Sequence, residues 1–139
     1  MEEENLYRFL KERIEDNEGY IKYSHLTFTK METGSVTAEV EVGKEMKNPM
    51  GSVHGGCLFS ICDTVGGTAA MTHGVTVTTS VGTISYLNPA VDCDRLYAEA
   101  VELKAGKTLF RYDVFIRDGR GTLICKADME YYRLGELEY

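Results

Sequence analysis

The chain has 139 residues, the size of one ordinary domain, and can bury about two-thirds of the surface that its unfolded form exposes. Its net charge of -7 and isoelectric point near 5.0 argue against nucleic acid or an anionic membrane as the main partner, because both select for a positively charged surface. Met1 is followed by three glutamates instead of a basic and then apolar stretch, so we expect no secretory signal and a cytoplasmic location.

The first predicted element is an amphipathic helix over residues 1–17. Glutamates lie at its N-terminal end, where the helix dipole favours negative charge, and Asn17 and Gly19 stop it. Residues 21–29 are predicted to form a strand. Residues 35–42 predict a clearer strand, because valine or alanine alternates there with threonine or glutamate. The apolar face of the helix consists of Leu6, Phe9, Leu10 and Ile14.

A nearly uncharged stretch follows, in which residues 48–91 carry a single formal charge, the carboxylate of Asp63. Residues 57–71 place apolar or small side chains on every side of a helical wheel, which predicts a helix that is buried all round. Gly66 and Gly67 each weaken a helix interior by roughly 1 kcal/mol, so we expect them at a fraying end or where another backbone comes close. An ionised group in such surroundings is usually paired or functional, which draws attention to Asp63.

Four extended stretches complete the chain, over residues 75–87, 95–104, 108–117 and 122–132. Turn-forming residues separate them, among them Asn88 and Pro89. The last three stretches predict an antiparallel meander. The order of helix, strands, buried helix and strands, without repeats, predicts an α+β fold in which a strongly curved sheet surrounds the buried helix.

Several familiar functional motifs do not occur in the sequence. The glycines required by a P-loop and by a dinucleotide-binding fingerprint are missing, and so are the HExxH and GxSxG motifs. The three histidines are far apart, and the four cysteines form neither a zinc pattern nor a CxxC pair, so we expect reduced thiols and no metal site. What remains is His54-Gly55-Gly56 at the start of the buried helix, followed by Asp63.

The start of this helix can stabilise a developing negative charge. Its first N–H groups have no partner within the helix and carry partial positive charge, and glycines at positions 55 and 56 let a substrate carbonyl come close to the backbone. Asp63 lies about 10 Å further along the helix axis and cannot reach the same oxygen. A second copy of the helix could supply the carboxylate.

Four segments agree in order and spacing with a known family: residues 48–56, Asp63, residues 85–90 and residues 104–108. Through them the chain resembles the PaaI-type acyl-CoA thioesterases of the hotdog-fold superfamily, over roughly residues 20–132. The resemblance implies one hotdog domain over residues 1–139, with a curved antiparallel sheet wrapped around one long helix. It also implies that two protomers join their sheets, that each active site combines residues of both, and that dimers pair into a homotetramer.

The resemblance assigns catalytic roles to residues near the buried helix. It implies that Asp63 acts as the nucleophile or as a general base on water, and that the Gly55 N–H polarises the thioester carbonyl. His54 would hold that turn, and Asn48 would lie near the carbonyl or the attacking water. Thr79 falls where relatives often place a serine or threonine that faces the acyl group.

Two further segments match the family's lining of the CoA arm. Lys104 and Lys107 are expected to contact the phosphates, although both also fit the description of ordinary solvated turn residues. Gly67 departs from the family, because some relatives carry a threonine there that helps to orient the water. The residues expected to bind CoA are Tyr86, Asn88, Lys104, Gly106, Lys107 and Thr108.

We therefore predict an acyl-CoA thioesterase that releases a free acid and CoA and needs no metal or redox cofactor, since CoA is part of the substrate. Two alternatives stay open. A hotdog hydratase or dehydratase would need a histidine paired with a carboxylate, and only the spacing of His54 and Asp63 supports it. A noncatalytic acyl-CoA binding protein would need no carboxylate in the buried helix, so Asp63 argues against it. The sequence does not fix the acyl group.

Overall fold

The structure is a computed structural model that describes residues 1–139. Helix α1 spans Glu2–Glu15 and helix α2 spans Gly55–Met71, and two short 3₁₀ helices cover Tyr20–Ser24 and Lys44–Met46. The six strands are β1 (Leu26–Glu32), β2 (Ser35–Glu41), β3 (Val75–Tyr86), β4 (Arg95–Ala105), β5 (Leu109–Asp118) and β6 (Leu123–Glu136).

All six strands form one antiparallel sheet in the order β1-β2-β4-β5-β6-β3. The sheet curves around α2, which contacts every strand. Strand β2 shows the pattern that drives this packing, because Val36, Ala38 and Val40 are buried and alternate with more exposed polar residues. The predicted α+β hotdog arrangement, with one helix inside a curved sheet, is confirmed.

Helix α1 lies along the β1 edge of the sheet and buries Leu6 and Leu10. The Lys11 ammonium group donates a hydrogen bond of 3.0 Å to the backbone oxygen of Phe28, and the backbone N–H of Phe28 donates to the Glu15 carboxylate at 3.2 Å. Lys11 and Glu15 also form an ion pair at 2.6 Å. The helix expected over residues 1–17 is therefore present, and two of its side chains form hydrogen bonds with backbone groups of the edge strand β1.

The strand predicted over residues 21–29 is wrong in its first half. Residues Tyr20–Ser24 form a 3₁₀ helix, in which the Ser24 hydroxyl donates to the Ile21 carbonyl at 2.7 Å. His25 follows with a φ of 50°, a left-handed conformation that no strand continues through. The strand begins at Leu26, which is also where the alternation of buried and exposed side chains begins.

Strand β3 forms the other edge of the sheet and pairs only with β6. It is 12 residues long and contains no charged residue, and most of its side chains from Thr78 onward are exposed. No helix in the structure combines the length and the apolar composition needed to cross a bilayer.

Candidate active site

Asp63 is held at both its side chain and its backbone by two neighbouring strands. Its carboxylate oxygen Oδ1 accepts a hydrogen bond of 2.6 Å from the Thr79 hydroxyl on β3. Its backbone carbonyl accepts a hydrogen bond of 2.8 Å from the Tyr131 hydroxyl on β6. Thr79 and Tyr131 stand directly opposite each other in the β3–β6 pairing. One rung of the sheet therefore fixes the half-buried Asp63 on α2.

The β3 strand is bulged immediately after Thr79. The register shifts between Thr79 and Val81, so Ser80 is an extra residue on β3. The Ser80 hydroxyl bonds to the backbone oxygen of Glu130 at 3.2 Å and to its carboxylate at 2.9 Å. Bulges re-aim neighbouring side chains and are frequent beside active sites. This bulge adjusts the direction of β3 at the residue that contacts Asp63.

Asp63 and Thr79 line a cavity of about 960 Å³. Its walls come from α1, from the 3₁₀ helix at residues 20–24, from α2 and β3, and from the C-terminal residues. The Phe9 and Tyr139 rings pack together with centroids 6.3 Å apart, which joins α1 to the C-terminus. Apolar lining residues include Phe9, Ile14, Phe59, Met71, Val77 and Leu137. The sequence predicts an apolar face on α1. It does not predict that part of this face lines the cavity beside Asp63.

The start of α2 presents a free backbone donor. His54 is the N-cap, and its Nδ1 accepts a hydrogen bond of 2.8 Å from the Gly56 N–H, so Nδ1 carries no proton. The Gly55 N–H has no acceptor within the chain. The Tyr86 hydroxyl donates to the Gly55 carbonyl at 2.8 Å, and a Cβ at position 55 would lie 3.0 Å from the Tyr86 ring. Glycine therefore lets Tyr86 pack against the helix start.

Cys57 lies in the first turn of α2, where a helix N-terminus can activate a thiol. Burial, together with the nearby Glu45 carboxylate, raises the pKa of the Cys57 thiol above its usual range. A thiol that stays protonated is a poor nucleophile. Asp63 is thus the stronger candidate for the reactive group on this helix.

The side chains of Asn48 and Asn88 both hold loops. The Asn48 oxygen accepts hydrogen bonds from the N–H groups of Met50 (2.9 Å) and Ser52 (3.2 Å), and its amide group donates to the Ser52 hydroxyl at 2.9 Å. One amide hydrogen of Asn48 remains for another partner. The Asn88 amide donates to the Leu123 carbonyl at 2.9 Å, which ties the loop after β3 to the start of β6.

Apart from the loop residue Asn48, the expected site residues fall into three separate groups within one chain. Asp63 meets Thr79, whereas Gly55 lies with His54 and Tyr86 at the start of α2. The third group is the β4–β5 turn, residues 104–108, which the register places beside the far end of β6. Tyr86 pairs with the opposite end of β6, so roughly 25 Å of strand separates the two segments expected to bind CoA.

Tyr131 and its contact with the two helical glycines were not predicted. Helix α2 continues to Met71, so Gly66 and Gly67 do not mark a fraying end, and the group that approaches them is a side chain rather than a backbone. A Cβ at position 66 would lie 2.5 Å from the Tyr131 hydroxyl oxygen, and one at position 67 would lie 3.3 Å from its ring. The paired glycines were the only sequence signal of this contact.

Comparison with known proteins identifies the family, because the model of the thioesterase superfamily matches residues 50–125. The chain belongs to the thioesterase superfamily. It is 28% identical over 120 residues to the acyl-coenzyme A thioesterase PaaI of Escherichia coli K12, covering 86% of each chain. The structure of the E. coli PaaI protein superimposes with a TM-score of 0.87 and 25% identity, over 97% of this chain and 95% of that one. The prediction of a PaaI-type hotdog thioester hydrolase is confirmed.

Related structures also include complexes and variants. A hypothetical thioesterase of Streptococcus pneumoniae with coenzyme A has a TM-score of 0.78 and 28% identity, over 81% of this chain and 91% of that one. Two variants of that protein have been solved, one with an aspartate and one with a threonine replaced by alanine, with TM-scores of 0.77 and 0.76. A Streptococcus mutans protein bound to acetyl CoA has a TM-score of 0.79 and 25% identity, over 81% of this chain and 91% of that one.

Proposed function

We propose that the protein hydrolyses acyl-CoA thioesters, with Asp63 as nucleophile or general base and the Gly55 N–H as the donor to the carbonyl oxygen. The observation that carries the proposal is the placement of Asp63, a carboxylate held by Thr79 in the wall of a largely apolar cavity. The activity named for E. coli PaaI and the CoA and acetyl CoA complexes of related structures support the choice of substrate.

The pairing of Asp63 with Thr79 has further support. The aspartate and the threonine that were replaced in the Streptococcus pneumoniae thioesterase are as far apart in sequence as Asp63 and Thr79 are here. In the proposed site Thr79 donates its hydroxyl hydrogen to one carboxylate oxygen, which leaves the other oxygen for water or for direct attack.

The site requires two chains. Gly55 and Asp63 are roughly 12 Å apart along α2, so one carbonyl cannot be within about 3 Å of both. The unpaired β3 edge suggests how a second chain supplies the missing group. If two β3 strands pair antiparallel around a two-fold axis that passes between Thr83 and the partner subunit's Thr83, Tyr86 lies opposite the partner subunit's Ser80, the extra residue of the bulge, and so beside the partner subunit's Thr79. Because Tyr86 contacts Gly55 and Thr79 contacts Asp63, this register brings the two halves of a site together.

The same pairing explains how the β4–β5 turn can contribute. In one chain the turn is roughly 25 Å from Tyr86, counting two strand spacings and the length of β6 between them. Across the proposed interface, the partner subunit's turn lies only about three strand spacings, or about 14 Å, from the end of β3. We place the CoA phosphates near the partner's Lys104 and the partner's Lys107 and the thioester at Gly55.

The proposed reaction is a simple hydrolysis. The Gly55 N–H and the helix dipole stabilise the negative charge that develops on the thioester oxygen, and loss of one such donor typically costs about 100-fold to 1000-fold in rate. The carbon–sulfur bond breaks and CoA leaves as the thiol. With Asp63 as general base, the oxygen of water ends in the free acid. With Asp63 as nucleophile, an acyl–Asp63 anhydride forms, and the water that opens it leaves its oxygen in the free acid or in the Asp63 carboxylate. The acyl group lies in the cavity beside Asp63, where α1 and the C-terminal residues supply an apolar wall.

The hydratase alternative is disfavoured by the position of His54. Its Nδ1 is occupied by the Gly56 N–H, and it makes no contact with Asp63 in the chain. A cytoplasmic location, a homotetramer and independence from metals or redox cofactors stay predictions. Turnover after dialysis against a chelator tests independence from metals, and sedimentation tests the homotetramer.

The experiment that tests the proposed function replaces Asp63. Asp63→Asn keeps the size of the side chain and removes its charge, so thiol release from a panel of acyl-CoAs should fall by several orders of magnitude, to about the residual rate left by oxyanion stabilisation and binding. Asp92→Asn, at an exposed loop, is the matched control and should keep wild-type turnover. Equal turnover of Asp63→Asn and wild type would refute the assignment. Label found in the Asp63 carboxylate after a single turnover in heavy-oxygen water would identify Asp63 as the nucleophile, because a general base exchanges no carboxylate oxygen with water.

A further inference from the structure

The backbone of Asp63 sits at a weak point of α2. Gly66 and Gly67 follow it within one turn, and each glycine costs a helix roughly 1 kcal/mol relative to alanine. The helix nevertheless continues to Met71 without interruption. The turn that carries Asp63 is therefore held by its surroundings more than by its own sequence.

The Tyr131 side chain packs against this turn of α2. Its ring packs over both glycines, where a Cβ at position 66 would be only 2.5 Å from its hydroxyl oxygen. Only 1% of Tyr131 is exposed, so its ring has no freedom to move away. The absence of side chains at positions 66 and 67 lets the ring approach until its hydroxyl reaches the Asp63 carbonyl at 2.8 Å.

The chemical state of Tyr131 fits a permanent donor. Burial, reinforced by the nearby Asp63 carboxylate, raises the pKa of Tyr131 far above its usual range. The hydroxyl is therefore protonated at neutral pH and has a hydrogen to donate. The Asp63 carbonyl can accept this bond in addition to its helical one, because a carbonyl oxygen has two lone pairs.

We infer that Tyr131 is a positioning residue, which sets the direction of the Asp63 carboxylate by fixing the Asp63 backbone. Thr79 and Tyr131 are cross-strand partners, and they bind Asp63 at opposite ends, one at the carboxylate and one at the carbonyl. Two fixed points determine the orientation of a short side chain, whereas one leaves it free to rotate. The inference rests on the proposed role of Asp63.

The test is Tyr131→Phe, with Tyr112→Phe as the matched control. Tyr112 is also 1% exposed, its ring lies 6.1 Å from that of Tyr131, and its hydroxyl donates to Glu102 at 2.6 Å instead of to α2. We expect Tyr131→Phe to lower kcat by about 10-fold to 100-fold with KM changed less than about twofold, because a misplaced group impairs the chemical step and not binding. Tyr112→Phe should keep kcat near the wild-type value, while both variants lose similar thermal stability.

A second variant and a double-mutant cycle keep the test decisive. Gly67→Ala retains the hydroxyl but pushes the Tyr131 ring, since the added Cβ would lie 3.3 Å from it, and should also lower kcat. In an Asp63→Asn background, Tyr131→Phe should cause no further loss, because the carboxylate it positions is gone. Equal losses of kcat in Tyr131→Phe and Tyr112→Phe, or an undiminished effect of Tyr131→Phe in that background, would overturn the inference. Wild-type turnover in Asp63→Asn alone would instead overturn the proposed function.

Discussion

The two edges of the sheet are treated differently by the chain. Strand β1 has 7 residues, includes Lys30 and Glu32, and has the N–H and carbonyl of Phe28 occupied by Glu15 and Lys11 of α1. Strand β3 has 12 residues and no charge, pairs with a strand on one side only, and is mostly exposed from Thr78 onward. Charges and covering elements are the usual means of blocking edge-to-edge association. Helix α1 blocks the β1 edge within the chain, whereas the β3 edge stays free to pair with a strand of another chain.

The open edge is also the one that carries residues of the proposed site. Thr79 lies within β3 and Tyr86 at its end, whereas no expected site residue lies on β1. A long, uncharged edge is a liability for a monomer, because it can pair with other chains. Its retention beside Asp63 is reasonable if a second chain both covers it and completes the site.

The largest expected effect comes from closing the open edge. Val81→Lys places a charge at a residue of β3 that is 50% exposed, within the edge that the partner strand covers in the proposed dimer. We expect a folded monomer whose thioesterase activity is at least about 100-fold lower, since each site loses its carboxylate or its N–H donor. Sedimentation velocity and thiol release measure the two effects.

The matched control for Val81→Lys is the same substitution at the closed edge. Thr27→Lys also adds a lysine to an exposed position of an edge strand, β1. It should change neither the mass in solution nor the activity. An active Val81→Lys monomer would contradict the two-chain site, and a dissociated Thr27→Lys variant would contradict the contrast between the edges.

A second prediction tests which residues meet across the open edge. Gly55→Val inserts a side chain against the Tyr86 ring and should inactivate the protein, as should Asp63→Asn. After subunit exchange, a mixed dimer has one site with both defects and one site with none. An equal mixture should therefore recover about a quarter of wild-type activity, because about half of the dimers are mixed. Two inactive proteins that stay inactive after proven exchange would mean that Gly55 and Asp63 act within one chain.

The sequence predicts those features that have a local pattern. Alternation reveals β2, and the lack of charge around Asp63 reveals the buried α2 and singles out Asp63 as the residue to test. The 3₁₀ helix at residues 20–24 escaped prediction because the left-handed turn at His25 has no composition signal such as glycine. Tyr131 escaped because its partner Asp63 is 68 residues away, and nothing near Tyr131 distinguishes it from an ordinary core tyrosine.

A moderate effect is expected from the lysines of the β4–β5 turn. Lys104→Ala combined with Lys107→Ala should raise KM for acyl-CoA by about 10-fold with kcat nearly unchanged, the signature of lost uniform binding. The loss should shrink in high salt and for an acyl-pantetheine thioester that lacks the nucleotide. Lys22→Ala combined with Lys30→Ala removes the same charge on the β1 side and should leave KM unchanged. Equal losses with both substrates would show that the nucleotide binds elsewhere.

The smallest expected effect concerns the closed edge. Lys11→Met removes the ion pair with Glu15 and the hydrogen bond to the Phe28 carbonyl, and should lower the free energy of unfolding by about 1 kcal/mol, because the bond to a partly buried edge group adds to a weak surface ion pair. Lys22→Met breaks another i,i+4 ion pair, with Glu18, that touches no strand, and should cost less than about 0.5 kcal/mol. Urea denaturation compares the two. If Lys11→Met is as harmless as Lys22→Met, α1 shields β1 by packing alone. If Lys11→Met also forms larger assemblies, the contact of Lys11 with the Phe28 carbonyl is what prevents β1 from pairing with other chains.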